Sequence, residues 1–111
     1  MQQVHLRVSR QPTGRLVSVA GVLDLATAPA LERCLQALLD GPGGQITVDL
    51  SAVRFIDGRG LTVLLFAQRQ ARAQKRLLLL ATPAPRVRRL LQITRTEARF
   101  AVYPPVLTTD S

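Results

Sequence analysis

The apolar residues of this chain repeat with two different periods, and the order of those periods limits the fold more than any other feature. Val4, Leu6 and Val8 alternate with polar residues, as expected for a half-buried strand. Residues 11–14 carry a Pro and Gly turn signal, and a second apolar stretch follows over 16–22. These segments predict an N-terminal β-hairpin.

After the hairpin, helical and strand patterns alternate to the end of the chain. Thr27 can cap a first helix, which carries leucines at helical spacing and ends at residues 41–44. Helical spacing also predicts a second helix, from near Gly60 to about Gln74, and a short third helix around 87–91. Further strands are predicted at 46–50, 77–81 and 100–102, with 51–54 as a short connection. The order β-β-α-β-α-β-α-β predicts an α/β fold with right-handed crossovers and a largely parallel sheet.

Length and composition fit one small domain with an aliphatic core. The chain has 111 residues, of which 47% are hydrophobic and 4% aromatic. We expect a single domain over 1–111, with a core from about 4 to 102 and a flexible tail at 104–111. Phe55, Phe66 and Phe100 stand in apolar contexts and are predicted to be core residues. No apolar run approaches the roughly 18 residues of a membrane span, so a cytoplasmic location is expected.

The residues that carry chemistry are too few for a catalytic or metal site. The single histidine, His5, lies in a predicted strand, and the single cysteine, Cys34, lies on a predicted helix face. We therefore predict no enzyme activity, no metal and no cofactor. A net charge of +8 favours acidic partners or polyanions. Direct nucleic-acid binding is not expected, because the sequence has no RNA-binding signature and most of its aromatic residues are assigned to the core.

The segment Asp57-Gly58-Arg59-Gly60 joins a predicted strand to the second helix. Asp57 can cap the helix by accepting its free backbone N–H bonds. Gly58 and Gly60 permit backbone angles that other residues avoid, or a close approach by a partner. Two interpretations stay open from these residues: an ordinary capped turn, or a helix end that binds an anion or a nucleotide with the help of Arg59.

Three segments in order resemble the STAS domain of bacterial anti-sigma factor antagonists. They are Gly21-Val22-Leu23-Asp24 with Thr27, Val48-Asp49-Leu50-Ser51 with Val53, and the stretch from Phe55 to Leu61. The resemblance covers about 4–102. It implies a mixed sheet of about five strands with helices packed mainly on one face. It also implies a partner-switching role in transcription, in which the antagonist binds an anti-sigma factor of the serine-kinase type.

The resemblance also assigns a binding face and a departure from the family pattern. The implied partner-binding residues are Asp24, Thr27, Asp57, Gly58, Arg59, Gly60, Leu61 and Thr62. Family members carry the phosphorylated serine where this chain has Arg59, which has no hydroxyl, so the usual switch is expected to be absent. Thr62 is the nearest remaining hydroxyl, and Ser51 is a further candidate acceptor that is expected to end a strand. The alternative is a STAS subunit of a lipid-transport or sensory assembly, and dimerisation stays open.

Overall fold

The computed structural model of the protein describes residues 3–81 and 83–103, the last three by their backbone only. The predicted tail at 104–111 lies outside the described residues. The element order confirms the predicted one, with a short 3-10 turn at Glu97–Arg99 added before the last strand. The elements are β1 Val4–Gln11, β2 Gly14–Leu23, α1 Ala28–Asp40, β3 Gln45–Ile56, α2 Gly58–Ala73, β4 Leu78–Ala81, α3 Pro85–Ile93 and β5 Ala101–Tyr103.

The strands form one mixed sheet of five strands in the order β1-β2-β3-β4-β5. β1 and β2 are the antiparallel hairpin, and each later neighbouring pair is parallel. Parallel neighbours require a long crossover, and α1, α2 and α3 supply the three that are needed. The mixed sheet predicted from the sequence is confirmed.

Burial along the strands shows which face of the sheet carries the helices. Alternate strand residues are fully or almost fully buried, namely Val17, Val19, Ile46, Val48, Leu50, Leu78 and Leu80. The residues between them, such as Leu16, Ser18 and Leu79, are only partly covered. The buried leucines of α1 and α2 belong to the same core cluster as the first set. The helices therefore pack mainly on one face, as expected.

β3 is one continuous strand, so the connection predicted at 51–54 is wrong. Two register shifts against β2 insert an extra residue into β3, one between Asp49 and Ala52 and one between Val53 and Phe55. Each bulge breaks the two-residue alternation, which is why the segment resembled a loop. At the first bulge the Ser51 N–H donates to the Asp49 carboxylate at 2.9 Å.

The aromatic residues also differ from the prediction. Phe100 is buried, but Phe55 and Phe66 are 45% and 46% exposed. Phe55 follows the second bulge of β3, and Phe66 lies on the solvent side of α2. Leu77 was predicted to begin β4 but lies outside it, exposed. The core is thus almost entirely aliphatic, and two aromatic rings lie at the surface.

One arginine ties the end of α1 to the segment that enters β4. The guanidinium of Arg76 donates to the carbonyl oxygens of Gly44 at 2.9 Å and Pro42 at 3.1 Å. It also donates to the carbonyls of Leu38 and Leu39, each at 3.3 Å. These carbonyls belong to the last turn of α1 and the following loop, where the helix leaves acceptors without helical partners.

We predict that Arg76→Ala lowers the free energy of unfolding by about 2 to 3 kcal/mol, because several carbonyl acceptors lose a charged donor at once. Arg76→Lys should recover only part of this loss, since a lysine cannot reproduce the planar fork. Arg33→Ala, at an exposed position of α1, is the matched control and should change stability by less than about 0.5 kcal/mol. Urea unfolding followed by circular dichroism measures all three. If Arg76→Ala is as stable as the Arg33→Ala control, the stabilising role given to the Arg76 hydrogen bonds is wrong.

Candidate functional site

The parallel strands β2 and β3 end side by side and place two acidic turns next to each other. Leu23 pairs with Ile56 at the end of the ladder, so Asp24 and Asp57 follow at neighbouring positions. The Asp57 N–H donates to the Leu23 carbonyl at 3.1 Å and joins the two turns directly. The carboxyl ends of parallel strands are where ligand sites concentrate in α/β sheets. Two of the sequence-predicted site residues therefore meet at one edge.

Asp57 caps α2, as predicted. Its carboxylate accepts from the Arg59 N–H at 2.9 Å and from the Gly60 N–H at 3.2 Å. The Leu61 N–H donates to the Asp57 carbonyl, so the helix begins at Gly58, two residues before the predicted start. An external anion would have to displace the Asp57 carboxylate from these donors, which weighs against an anion site at this helix end.

Thr27 stands at the N-cap position of α1. Its side chain makes no capping hydrogen bond to the helix, so the predicted cap is wrong. The buried hydroxyl donates to the Val22 carbonyl at 2.6 Å and accepts from the Asp24 N–H at 2.9 Å. The Asp24 carboxylate in turn accepts from the N–H groups of Ala26 and Thr27, at 3.0 and 3.1 Å. These bonds fix the turn that leaves β2 and hold Leu25 at its tip, 65% exposed.

The two glycines of the second turn have different roles. Neither has the positive φ that favours glycine, contrary to one of the predicted reasons for them. A Cβ added to Gly60 would lie 2.9 Å from the Leu23 Cβ and 3.0 Å from the Leu23 carbonyl oxygen. A Cβ added to Gly58 would meet nothing within 4 Å. Gly60 thus permits a close approach, but the approach is between α2 and β2 of the same chain.

The turn presents some of the predicted binding residues and buries others. Gly58, Arg59 and Thr62 are exposed, and the Thr62 hydroxyl donates to the Gly58 carbonyl at 2.8 Å. Gly60 and Leu61 are buried against the core. Gly58, Arg59 and Thr62 can therefore contact another molecule, whereas Gly60 and Leu61 support them from beneath.

The exposed charges around the two turns are basic and are not neutralised within the described part of the chain. The one ion pair between described residues joins Arg88 to Glu97 at 3.4 Å. Arg54 and Arg59 are exposed and take no part in it. The nearby carboxylates of Asp24 and Asp57 accept backbone N–H bonds instead. The surface is suited to an acidic partner.

A cleft beside the turns was missed by sequence analysis. It has a volume of about 740 Å³ and is lined by Val22, Asp24, Val53, Arg54, Phe55, Ala84, Pro85 and Arg86. Its residues come from β2, β3 and the start of α3, and the bulge in β3 that turns Phe55 outward has no simple sequence signal. Only the exposed basic and aromatic pair Arg54-Phe55, read as surface, would have pointed to it.

We predict that Gly60→Ala lowers the free energy of unfolding by about 1 to 3 kcal/mol, because the added methyl group overlaps the Leu23 backbone and side chain. Gly58→Ala is the matched control at the first helical position, where the methyl group meets open space. It should leave stability unchanged or raise it by about 0.5 to 1 kcal/mol through the better helix propensity of alanine. Chemical denaturation of the wild type, Gly60→Ala and Gly58→Ala measures the difference. Equal free energies of unfolding for the two variants would contradict the close contact between Gly60 and Leu23.

One family model and several solved structures are similar to this chain. The family model described as "Mlab, STAS domain" matches residues 6–104. An anti-sigma factor antagonist from Mycobacterium paratuberculosis has 29% identity and a TM-score of 0.77, over 94% of this chain and 88% of that one. A Thermotoga maritima protein aligns with 19% identity and a TM-score of 0.77, over 91% and 87% of the two chains.

A third solved structure is the phosphorylated form of the Bacillus cell fate determinant SpoIIAA. It aligns with 17% identity and a TM-score of 0.69, over 88% of this chain and 90% of that one. No curated protein sequence matches at a significant level. In the described ranges, none of the helices is long and apolar enough to cross a membrane. Over the same residues, no group of three His, Cys, Asp or Glu side chains is placed to hold a metal ion.

Proposed function

The chain belongs to the STAS domain family, and we propose that it is an anti-sigma factor antagonist that acts by binding a protein and catalyses no reaction. The observation that carries the proposal is the likeness to the mycobacterial antagonist, at 29% identity over 94% of the chain. The two hydrogen-bonded turns with the exposed Arg54 and Arg59 beside them also support it, since such a surface suits recognition of another protein.

The proposed partner is an anti-sigma factor of the serine-kinase type, which the chain would draw away from its sigma factor. The contact face consists of the turn from Asp24 to Thr27 and the start of α2 from Asp57 to Thr62. Leu25 and Arg59 are its exposed apolar and charged groups. Internal hydrogen bonds hold both turns before any partner arrives, and such preorganisation reduces the entropic cost of binding.

We further propose that binding is not controlled by phosphorylation of this face. Arg59 occupies the position of the phosphorylated serine in the family pattern and has no hydroxyl to accept a phosphate. A phosphoserine would bring about −1.5 to −2 charges, whereas Arg59 brings a positive one. Thr62 lies one turn further along α2, and its hydroxyl donates to the Gly58 carbonyl at 2.8 Å. Its position and its hydrogen bond disfavour it as a substitute acceptor.

Incubation with an anti-sigma kinase of the same organism and radiolabelled ATP tests both parts of the proposal. We expect a stable complex by size-exclusion chromatography and no stoichiometric phosphate on the wild-type chain. Arg59→Ser should gain phosphate, because it restores a hydroxyl at the exposed acceptor position. Thr62→Ala is the control for the one nearby hydroxyl.

Stoichiometric phosphate on any residue of the wild-type chain would contradict the missing switch while leaving the antagonist role in place, and its loss in Thr62→Ala would identify Thr62 as the acceptor. Absence of a complex with every anti-sigma kinase of the organism would contradict the antagonist role itself.

A second candidate function is a STAS subunit of a lipid-transport or sensory assembly. The matching family description names Mlab and does not name an antagonist. Position 59 holds an arginine in place of a phosphorylatable serine, which suits a subunit that needs no phospho-switch. If the chain copurifies with a transporter ATPase and the association persists at high salt, this role is favoured. Copurification with an anti-sigma kinase would favour the first.

A further inference from the structure

The cleft between the end of β3 and the start of α3 has features of a binding site that the two turns alone do not explain. Val53 and Val22 are buried on its apolar side, and the Phe55 ring is half exposed. Pro85, the first residue of α3, also lines the cleft. Its volume of about 740 Å³ falls in the range of sites that enclose a small ligand or a few side chains.

The exposed ring of Phe55 is the apolar part of this site. An aromatic side chain left in water forgoes the stabilisation that burial gives, about 25 cal/mol for each Å² of apolar surface. An apolar group that enters the cleft would cover Phe55 and remove this exposed surface from water.

The charges of the cleft are unbalanced. Arg54 and Arg86 both line it, both are exposed, and neither forms an ion pair with another described residue. Asp24 is the only carboxylate in the lining, and it accepts the N–H groups of Ala26 and Thr27. Among the described residues, neither guanidinium group is paired with a carboxylate, and arginine pairs with carboxylates by strong bidentate bonds.

We propose that this cleft binds a short segment of a partner protein in which an Asp or Glu stands close to a large apolar side chain. The apolar side chain packs on Phe55 and Val53, and the carboxylate pairs with Arg54 or Arg86. The inference deepens the proposed function, on which it rests for the protein nature of the partner. A free phosphate would use the arginines but leave Phe55 uncovered, so the acidic and apolar segment fits the cleft better.

Selection of a displayed library of random 12-residue peptides on the immobilised full chain tests the proposal. We expect enriched peptides to carry Asp or Glu within a few residues of Leu, Ile or Phe. Fluorescence anisotropy with one enriched peptide should then show a loss of about 10-fold or more in affinity for the double variant Arg54→Glu with Arg86→Glu, because two attractions become repulsions. Phe55→Ala should also weaken binding, by about 5-fold or more, through the lost apolar contact.

The double variant Arg33→Glu with Arg69→Glu makes the same change in net charge at exposed helix positions outside the cleft lining. It should bind the peptide within about 3-fold of the wild type, because distant exposed charges are screened by salt. Circular dichroism checks that each variant is folded, and Arg54→Gln with Arg86→Gln replaces the glutamate pair if that pair unfolds.

Three results would overturn the proposal. The selection could enrich basic peptides, it could enrich the same peptides equally on the Arg54→Glu, Arg86→Glu chain, or the two double variants could lose equal amounts of peptide affinity. Binding of inorganic phosphate that competes fully with the peptide while Phe55→Ala has no effect would also overturn it. Peptide selection that succeeds when no anti-sigma kinase binds would leave the cleft in place and remove the antagonist role. If an anti-sigma kinase binds but the peptide selection fails, the antagonist role stands and the proposed peptide site in the cleft is wrong.

Discussion

The parallel pairing of β2 with β3, which ends at Leu23 and Ile56, is the contact on which the proposed binding face depends. It brings the turn after each strand to the same edge of the sheet, and the bond from the Asp57 N–H to the Leu23 carbonyl joins them. Gly60 lets α2 approach the end of β2 without a side chain between them. If this pairing slipped, the two turns and the cleft beside them would separate.

The same edge divides its polar groups between internal and external use. The carboxylates of Asp24 and Asp57 satisfy backbone N–H groups of their own turns. The three arginines Arg54, Arg59 and Arg86 face outward without an ion-pair partner among the described residues. Acidic groups therefore make the face rigid, and basic groups make it attractive to an acidic protein. Arg59, exposed at the start of α2, adds to this basic character.

The order of elements followed from local patterns, and so did the helix cap, because Asp57 acts on N–H groups two and three residues away. The features that were wrong or missed depend on contacts between elements. Two bulges in β3 turned Phe55 outward, and Thr27 bonds to the end of β2 instead of capping α1. The cleft needs the start of α3 beside β3, which no single segment of sequence reveals. Local chemistry was thus predictable, but the shape of the binding face was not.

The proposed function requires an unmodified chain to bind its protein partner through this edge of the sheet. Hydrogen exchange of the unphosphorylated chain, alone and in complex with an anti-sigma kinase of the same organism, tests it most directly. We expect slower exchange in residues 24–27, 54–62 and 84–88, with β1 unchanged. Slower exchange confined to β1 and the hairpin, or a complex that forms only after phosphorylation of the chain, would contradict it.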